Sequence, residues 1–169
     1  LPKSLKSIKL ESMKNLSHVQ FQEGVEHIEI AHMPNVQSLN LPESLKSIKL
    51  SRLENLKFDN DELRLPHGVE SIDFSWLPSV FKINLPSSLK AITLARMEIL
   101  KFDDDELRLH EGVENIYFTN LPNLIKMNFP ESLKSIKLRN MKNLEFDYNH
   151  GSQIHLPAGL DYFSVDSCV

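Results

Sequence analysis

A ten-residue phrase that recurs along the chain limits what this sequence can fold into. LPKSLKSIKL at Leu1 returns as LPESLKSIKL at Leu41, LPSSLKAITL at Leu85 and FPESLKSIKL at Phe129. A related phrase lies between these copies: FQEGVEHIEI at Phe21, LPHGVESIDF at Leu65, LHEGVENIYF at Leu109 and LPAGLDYFSV at Leu156. The chain therefore divides into eight units of two alternating types, A and B, which start at residues 1, 21, 41, 65, 85, 109, 129 and 156. Units this short cannot bury their own leucines, so they must stack on their neighbours.

One register accounts for the apolar residues and the prolines. If the first residue of each unit is position 0, apolar residues recur at positions 0, 4, 7, 9, 12 and 15, as in the third unit: Leu41, Leu45, Ile48, Leu50, Leu53 and Leu56. Six of the nine prolines take position 1, and the other three take position 13 of B-type units. Serine or glycine fills position 3, which suits a turn.

The I-x-L alternation at positions 7 to 9 predicts a short strand with one face buried. Proline at position 1 cannot donate a ladder hydrogen bond, so the strand begins after it. What remains of a 20-residue unit is too short for a packed helix with its loops. We therefore predict a mainly β solenoid of about eight units, with a parallel sheet on the concave side and irregular, extended or 3-10 returns on the convex side.

These motifs resemble leucine-rich repeats over essentially the whole chain, residues 1–169, as a single domain. LKSIKLSRLENL at 45–56 matches the L-x-x-L-x-L core of that family. Position 12, where the family usually has Asn or Cys, here carries Met, Leu or Cys168. The resemblance therefore implies a core without the usual asparagine ladder, in which Cys168 is an ordinary buried residue. The 20-residue LPxSL unit is similar to the repeats of secreted bacterial effectors, including those attached to a ubiquitin-ligase domain, and to those of BspA-like surface proteins.

Composition limits the classes of partner and chemistry. A net charge of −4 gives no support for nucleic-acid or anionic-membrane binding. The chain has no run of 18 apolar residues and therefore no predicted membrane span, and its single cysteine rules out an internal disulfide. No nucleophile elbow, phosphate-binding glycine loop or cysteine with an evident base is recognisable. We expect a protein that is not an enzyme and needs no cofactor.

Position 5 alternates in charge through all eight units: Lys6, Glu26, Lys46, Glu70, Lys90, Glu114, Lys134 and Asp161. Parallel stacked strands would bring these side chains to about 4.8 Å spacing, where opposite charges attract. The pattern predicts a structural ladder along the stack, and a binding stripe is the alternative.

Two acidic segments, KFDNDELRL at Lys57 and KFDDDELRL at Lys101, coincide with units that have grown from 20 to 24 residues. Their carboxylates could offer oxygen ligands to Ca²⁺, but the turn glycine and the distal bidentate glutamate of a calcium loop are missing. The favoured interpretation is a solvated surface insertion with no metal site. Weak cation binding is the alternative, and its ligands would be Asp59, Asp61, Asp103 and Asp105.

The concave face carries the candidate binding residues. The only tryptophan, Trp76, lies at position 11 between Arg52 and Arg96 of the neighbouring units. Position 8 adds Lys49, Asp73 and Tyr117 nearby. Trp, Tyr and Arg dominate binding hot spots, and Arg beside Trp permits cation–π stacking. The alternative is that the two arginines merely cover Trp76.

We therefore predict a non-catalytic protein-interaction module whose protein partner lies across the concave face. The resemblance implies a secreted bacterial effector that recognises a host protein and contributes to virulence, secreted or delivered into the host cell. The alternatives are a BspA-like structural surface protein or adhesin, and the substrate-recognition arm of a ubiquitin-ligase effector. Because neither end reads as a polar cap, we also expect either flanking segments of a longer protein or end-to-end self-association.

Overall fold

A single parallel sheet organises the chain. The computed structural model describes residues 4–58, 62–145 and 156–166. One strand from each unit joins an eight-stranded parallel sheet in the order β1-β3-β5-β7-β9-β11-β13-β14. These strands are β1 (Ser7–Glu11), β3 (His27–Ala31), β5 (Ser47–Ser51), β7 (Ser71–Ser75), β9 (Ala91–Ala95), β11 (Asn115–Thr119), β13 (Ser135–Arg139) and β14 (Tyr162–Asp166). The predicted mainly β leucine-rich-repeat solenoid is confirmed. No helix among the described residues is long and apolar enough to cross a membrane.

The alternation within each strand decides which side chains enter the core. In β5, Ile48 and Leu50 point inward and are buried, while Lys49 between them is exposed. Neighbouring strands pair in a register that stacks equivalent positions, as when Ile48 lies beside Ile28. The core therefore consists of columns of identical positions, as the apolar register predicts. Position 12 forms one such column of methionine and leucine, buried from Met33 to Met141 but exposed at Met13, whereas Cys168 lies outside the described residues.

The return side carries short strands in addition to turns. These strands form three parallel pairs, β2 with β4, β6 with β8, and β10 with β12. Their bounds are β2 (His18–Gln20), β4 (Ser38–Asn40), β6 (Glu62–Arg64), β8 (Lys82–Asn84), β10 (Glu106–Leu107) and β12 (Lys126–Met127). A 3-10 turn at Asp103–Asp105 precedes β10. The two four-residue insertions come just before β6 and β10. Each of these strands pairs with a strand of the following unit and not with one of the preceding unit. The short strands described on the return side therefore form separate pairs.

Charged residues at position 5 form the predicted ladder. Glu70 lies between two lysines, with its carboxylate 2.8 Å from Lys90 Nζ and 3.9 Å from Lys46 Nζ. The hydrogen bond from Lys90 and its charge lower the pKa of Glu70. The same alternation places Nζ–carboxylate pairs at 2.5 Å and 3.0 Å elsewhere in the stack, Lys6–Glu26 and Lys134–Glu114. Alternate signs therefore match each unit to a neighbour of the other type.

The serine and glycine of position 3 also match the two unit types. Ser44 of an A-type unit accepts a hydrogen bond from the N–H of Gly24 and donates one to the carbonyl of Val25, both at 2.8 Å. Ser132 does the same for Gly112 and Val113 four units later, at 2.9 and 2.7 Å. Gly24 and Gly112 have φ of 98° and 112°, which a residue with a Cβ rarely adopts. Each of these two junctions from a B-type to an A-type unit thus requires glycine first and serine second.

An amide ladder stabilises the turn that leaves the sheet. At position 14 the side chain donates to a carbonyl of the preceding unit, as when Asn55 Nδ2 bonds Pro34 O at 2.7 Å. The other members with such a bond are Asn35, Ser79, Asn123 and Asn143. The expectation of a core without asparagine at position 12 is correct, but the ladder itself exists two residues later. The ladder thus lies outside the position at which the family usually carries asparagine.

Candidate functional site

The residue after each of the first seven strands of the large sheet adopts a left-handed backbone conformation. Position 11 has φ between 50° and 59° in seven consecutive units: Ser12, His32, Arg52, Trp76, Arg96, Asn120 and Asn140. The N–H of each donates to the carbonyl at position 10 of the next unit, for example Trp76 N to Ala95 O at 3.0 Å. The chain then turns so that position 12 enters the core. Asparagine tolerates this conformation, but larger residues are held there at a cost of about 1 kcal/mol.

Trp76 is therefore both strained and exposed. Its φ is 53°, and 44% of its surface remains accessible to solvent. The guanidinium carbon of Arg52 lies 5.9 Å from the centroid of the indole ring, at the outer limit of a cation–π contact. The contact leaves much of the ring open. Neither core packing nor backbone preference explains a tryptophan at this position.

Arg96 contributes to a different surface. No ring or ion-pair contact among the described residues joins Arg96 to Trp76, whereas Arg52 contacts the indole. Arg96 lines a groove of about 490 Å³ together with Glu98, Asn120, Asn140 and other residues of the same turns. The groove continues the position 11 column away from Trp76.

The remaining predicted residues point outward from the sheet, and all three contact a neighbour of their own chain. Lys49 Nζ lies 3.0 Å from the Asp73 carboxylate, whose hydrogen bond and charge raise the pKa of Lys49. Tyr117 lies under Lys137, whose Nζ is 5.1 Å from the ring centroid. Hydrogen bonds with Tyr117 and Asp166 raise the pKa of Arg139. The geometry thus gives Lys49, Asp73 and Tyr117 structural partners, and their role in binding stays a prediction.

Two other residues of the fourth and fifth units are apolar and exposed. Phe81 and Ile99 are exposed and belong to the fourth and fifth units, at positions 16 and 14. Both lie in the turns that lead from the large sheet to the return side, as Trp76 does. Lys101 Nζ lies 5.1 Å from the Phe81 ring centroid. We call Trp76, Phe81 and Ile99 the rim cluster. Ile99 replaces the asparagine or serine found at position 14 of the other units. This departure from the repeat is visible in the sequence and could have indicated the exposed residue.

The acidic insertions do not assemble a metal site in the described residues. Asp59 and Asp61 lie outside them. Asp103 accepts a hydrogen bond from Lys82 Nζ at 2.9 Å, which raises the pKa of Lys82. Asp105 has φ of 58° and uses its backbone to join the turn to Phe102 and Ile125. No group of three or more metal-ligating side chains occurs in the described parts of the chain.

The stacked L-x-x-I-x-L units and the single parallel sheet define a leucine-rich-repeat solenoid, an architecture used mainly for protein binding. No protein-family model matches the sequence, and no curated protein matches it significantly. Among solved structures, the chain is similar to a leucine-rich repeat protein from Bacteroides ovatus ATCC 8483, with 14% identity and a TM-score of 0.44. The match covers 100% of this chain and 63% of that one, so the chain spans less than two thirds of that protein's length.

Proposed function

We propose that this chain is a non-catalytic protein-interaction module whose partner binds the rim cluster. The observation that carries the proposal is Trp76, a large aromatic residue kept in a left-handed conformation with 44% of its surface exposed. The conformation itself belongs to the repeat, so the feature that stability leaves unexplained is the choice of an exposed indole for a left-handed position, which is a reason to look for function. Phe81 and Ile99 are further exposed apolar residues of the fourth and fifth units.

The chemistry of the rim suggests a protein partner. Tryptophan, tyrosine and arginine are the residue types that most often contribute a large share of the binding energy in protein interfaces. Arg52 stacks near the indole and Arg96 follows it along the column, so a partner with an apolar centre and acidic edges fits this surface. Lys49, Asp73 and Tyr117 on the adjacent sheet face would lie at the periphery of such an interface.

The resemblance of the LPxSL units to effector repeats extends the proposal to the biological setting. In that setting the chain is part of a secreted bacterial effector, and its partner is a host protein reached after secretion or delivery into the host cell. An attached ligase domain would make the same surface a substrate-recognition arm. A BspA-like structural surface protein or adhesin is the second candidate.

The test uses substitutions that the backbone tolerates. Trp76→Asn removes the indole and places at φ 53° the residue type already found at Asn120 and Asn140. It should leave the melting temperature unchanged or higher. His32→Asn is the matched control, because His32 occupies the same column two units before Trp76 and has the same left-handed conformation. Trp76→Phe should retain part of the binding.

The measurement is quantitative affinity capture from host-type cell extract, followed by titration of the purified captured protein. We expect the partner to bind the unmodified chain and the His32→Asn variant equally, and to lose affinity by about tenfold or more for Trp76→Asn, the loss typical of a hot-spot residue. Equal binding by all variants would place the interface elsewhere and overturn the proposal for the rim cluster.

A further inference from the structure

A polar groove lies beside the position 11 column of the fifth, sixth and seventh units. Its volume is about 490 Å³, and the side chains that line it include Arg96, Asn120, Asn140 and Lys142. The amide ladder holds the turns that form its walls, as when Asn143 Nδ2 donates to the carbonyl of the preceding unit at 2.7 Å. The shape of the groove is therefore set by the repeat and does not depend on a ligand.

The two cations of this groove differ from most cations of the chain. Most lysines and arginines contact a carboxylate or an aromatic ring of their own chain, as Lys134 contacts Glu114 at 3.0 Å. Arg96 and Lys142 are both exposed. Within the described residues, neither side chain makes an ion pair, a hydrogen bond or a ring contact. Both charges are therefore available to a ligand.

Two free amides accompany the cations. Asn120 and Asn140 follow Arg96 in the position 11 column, and Lys142 comes two residues after Asn140. Asparagine suits the left-handed backbone here, with φ of 52° and 50°. In the part of the chain that the structure describes, these two side-chain amides make no hydrogen bond, unlike the ladder residue Asn143. An amide side chain both donates and accepts, as a peptide group does.

The repeat sets the spacing of the two cations. Arg96 belongs to the fifth unit and Lys142 to the seventh, and neighbouring strands lie 4.7–4.9 Å apart, so the two turns are roughly 10 Å apart. Side chains on one face of a β-strand recur about every 6.7 Å, so no pair of them matches this distance. In a polyproline II helix, side chains three residues apart point the same way and lie about 9 Å apart. That helix has no internal hydrogen bonds, so its backbone is available to the two amides.

The charges favour separate carboxylates over a continuous polyanion. Glu98 lines the same groove, and the chain as a whole has a net charge of −4. A row of phosphates, as in a nucleic acid, would therefore meet repulsion along with attraction. A peptide with one carboxylate at each cation places its uncharged backbone against Asn120 and Asn140.

We propose that this groove binds a polyproline II segment of a protein partner in which two acidic residues lie three residues apart. One carboxylate pairs with Arg96 and the other with Lys142, while Asn120 and Asn140 bind the backbone between them. This site rests on the proposed function for the partner being a protein, and it adds to the rim cluster a second surface with its own ligand chemistry.

Fluorescence anisotropy with a labelled, end-capped peptide that contains Glu-Pro-Pro-Glu tests the site. The two prolines favour polyproline II and place the two glutamates three residues apart. We expect Arg96→Gln and Lys142→Gln each to weaken binding by about fivefold, the upper range for an exposed ion pair. Lys14→Gln is the matched control, because Lys14 is an exposed lysine at the same position 13 and lies outside the groove. A peptide with Glu-Pro-Glu, whose acids are two residues apart, should bind more weakly.

Exchange of charges provides the decisive arm. The variant Lys142→Glu should prefer Glu-Pro-Pro-Lys or Lys-Pro-Pro-Glu to the peptide with two acids, which misfolding cannot imitate, and the preferred peptide reveals the direction of binding. Failure of the unmodified chain to bind Glu-Pro-Pro-Glu would overturn the proposal. So would equal affinity for the two spacings, or equal weakening by Lys14→Gln, since either indicates general charge attraction.

A further arm separates this site from the rim cluster. The peptide has no large apolar side chain, so a failure of Trp76→Asn in the capture experiment would leave its binding to the groove standing. Weakening by Trp76→Asn without weakening by Arg96→Gln would assign the peptide to the rim cluster and overturn the proposal for the groove.

Discussion

Replacing Asn123 by alanine should loosen the contact between the sixth unit and the fifth. The Asn123 side chain donates from Nδ2 to Glu98 O at 2.9 Å and to Leu100 O at 3.1 Å. A hydrogen bond of this kind contributes about 0.5–1.5 kcal/mol net, so losing two partly exposed bonds should lower the free energy of unfolding by about 1–2 kcal/mol. For a chain of this length that corresponds to a fall in melting temperature of roughly 2–8 °C.

Asn15 supplies the matched control for this measurement. It occupies the same position 14 in the first unit, and among the described residues its side chain donates no hydrogen bond. Asn15→Ala should leave the melting temperature unchanged. Thermal and urea unfolding followed by circular dichroism compare the two variants directly. Amide hydrogen exchange at Ile125, whose N–H bonds Asp105 O, reports local opening of the same units.

The isosteric variant Asn123→Asp separates hydrogen bonding from side-chain volume. Its carboxylate would face two carbonyl oxygens without a donor, so it should destabilise the chain at least as much as alanine at neutral pH. Protonation below about pH 4 restores one donor, and the deficit relative to Asn123→Ala should then shrink. If Asn123→Ala and Asn15→Ala unfold at the same temperature, the ladder does not stabilise the stack and the reasoning is refuted.

Three other changes probe the core, the charge ladder and the alternation of units. Phe118→Ala removes a fully buried side chain and should lower the free energy of unfolding by about 3–5 kcal/mol, measured by urea denaturation. Glu26 and Glu70 have lowered pKa values in the fold, because of Lys6 and Lys90, so their stabilisation is complete above the ordinary value of 4.5 and is lost as pH falls through the lowered values. The urea midpoint should therefore fall on acidification, and less steeply in the double glutamine variant. Deletion of 65–84 removes one B-type unit and places two A-type units side by side, with lysine beside lysine at position 5. Deletion of 65–108 removes a B-type and an A-type unit and keeps the alternation. The shorter deletion should therefore give the lower melting temperature.

The core was predictable because its columns depend only on the spacing of apolar residues. Leu45, Ile48, Leu50, Leu53 and Leu56 all fall at the predicted positions and all are buried. The charge ladder followed from the same register, since stacked strands bring equal positions together whatever the details of the turns. Both features belong to the repeat, so the sequence pattern that predicts them recurs in every unit.

The features that the sequence did not reveal depend on backbone geometry at single positions. The left-handed conformation at position 11 accompanies the hydrogen bond from its N–H to the next strand, and only His32, Asn120 and Asn140 are of residue types enriched in it. The residue types of Arg52, Trp76 and Arg96 do not predict a left-handed backbone; they suggest a binding surface. Exposure of Phe81 and Ile99 was equally hidden, since apolar residues in a leucine-rich pattern are expected to be buried.

The structural repeat of this solenoid is the pair of units. A single unit defines the core columns, but the junction from a B-type to an A-type unit also pairs glycine with serine at position 3 and glutamate with lysine at position 5. Both requirements alternate with the same period, and the four-residue insertions that break the return side into pairs occur in A-type units as well. The pairing limits how units can be rearranged, because a unit placed beside its own type loses both the hydrogen-bond exchange and the charge match.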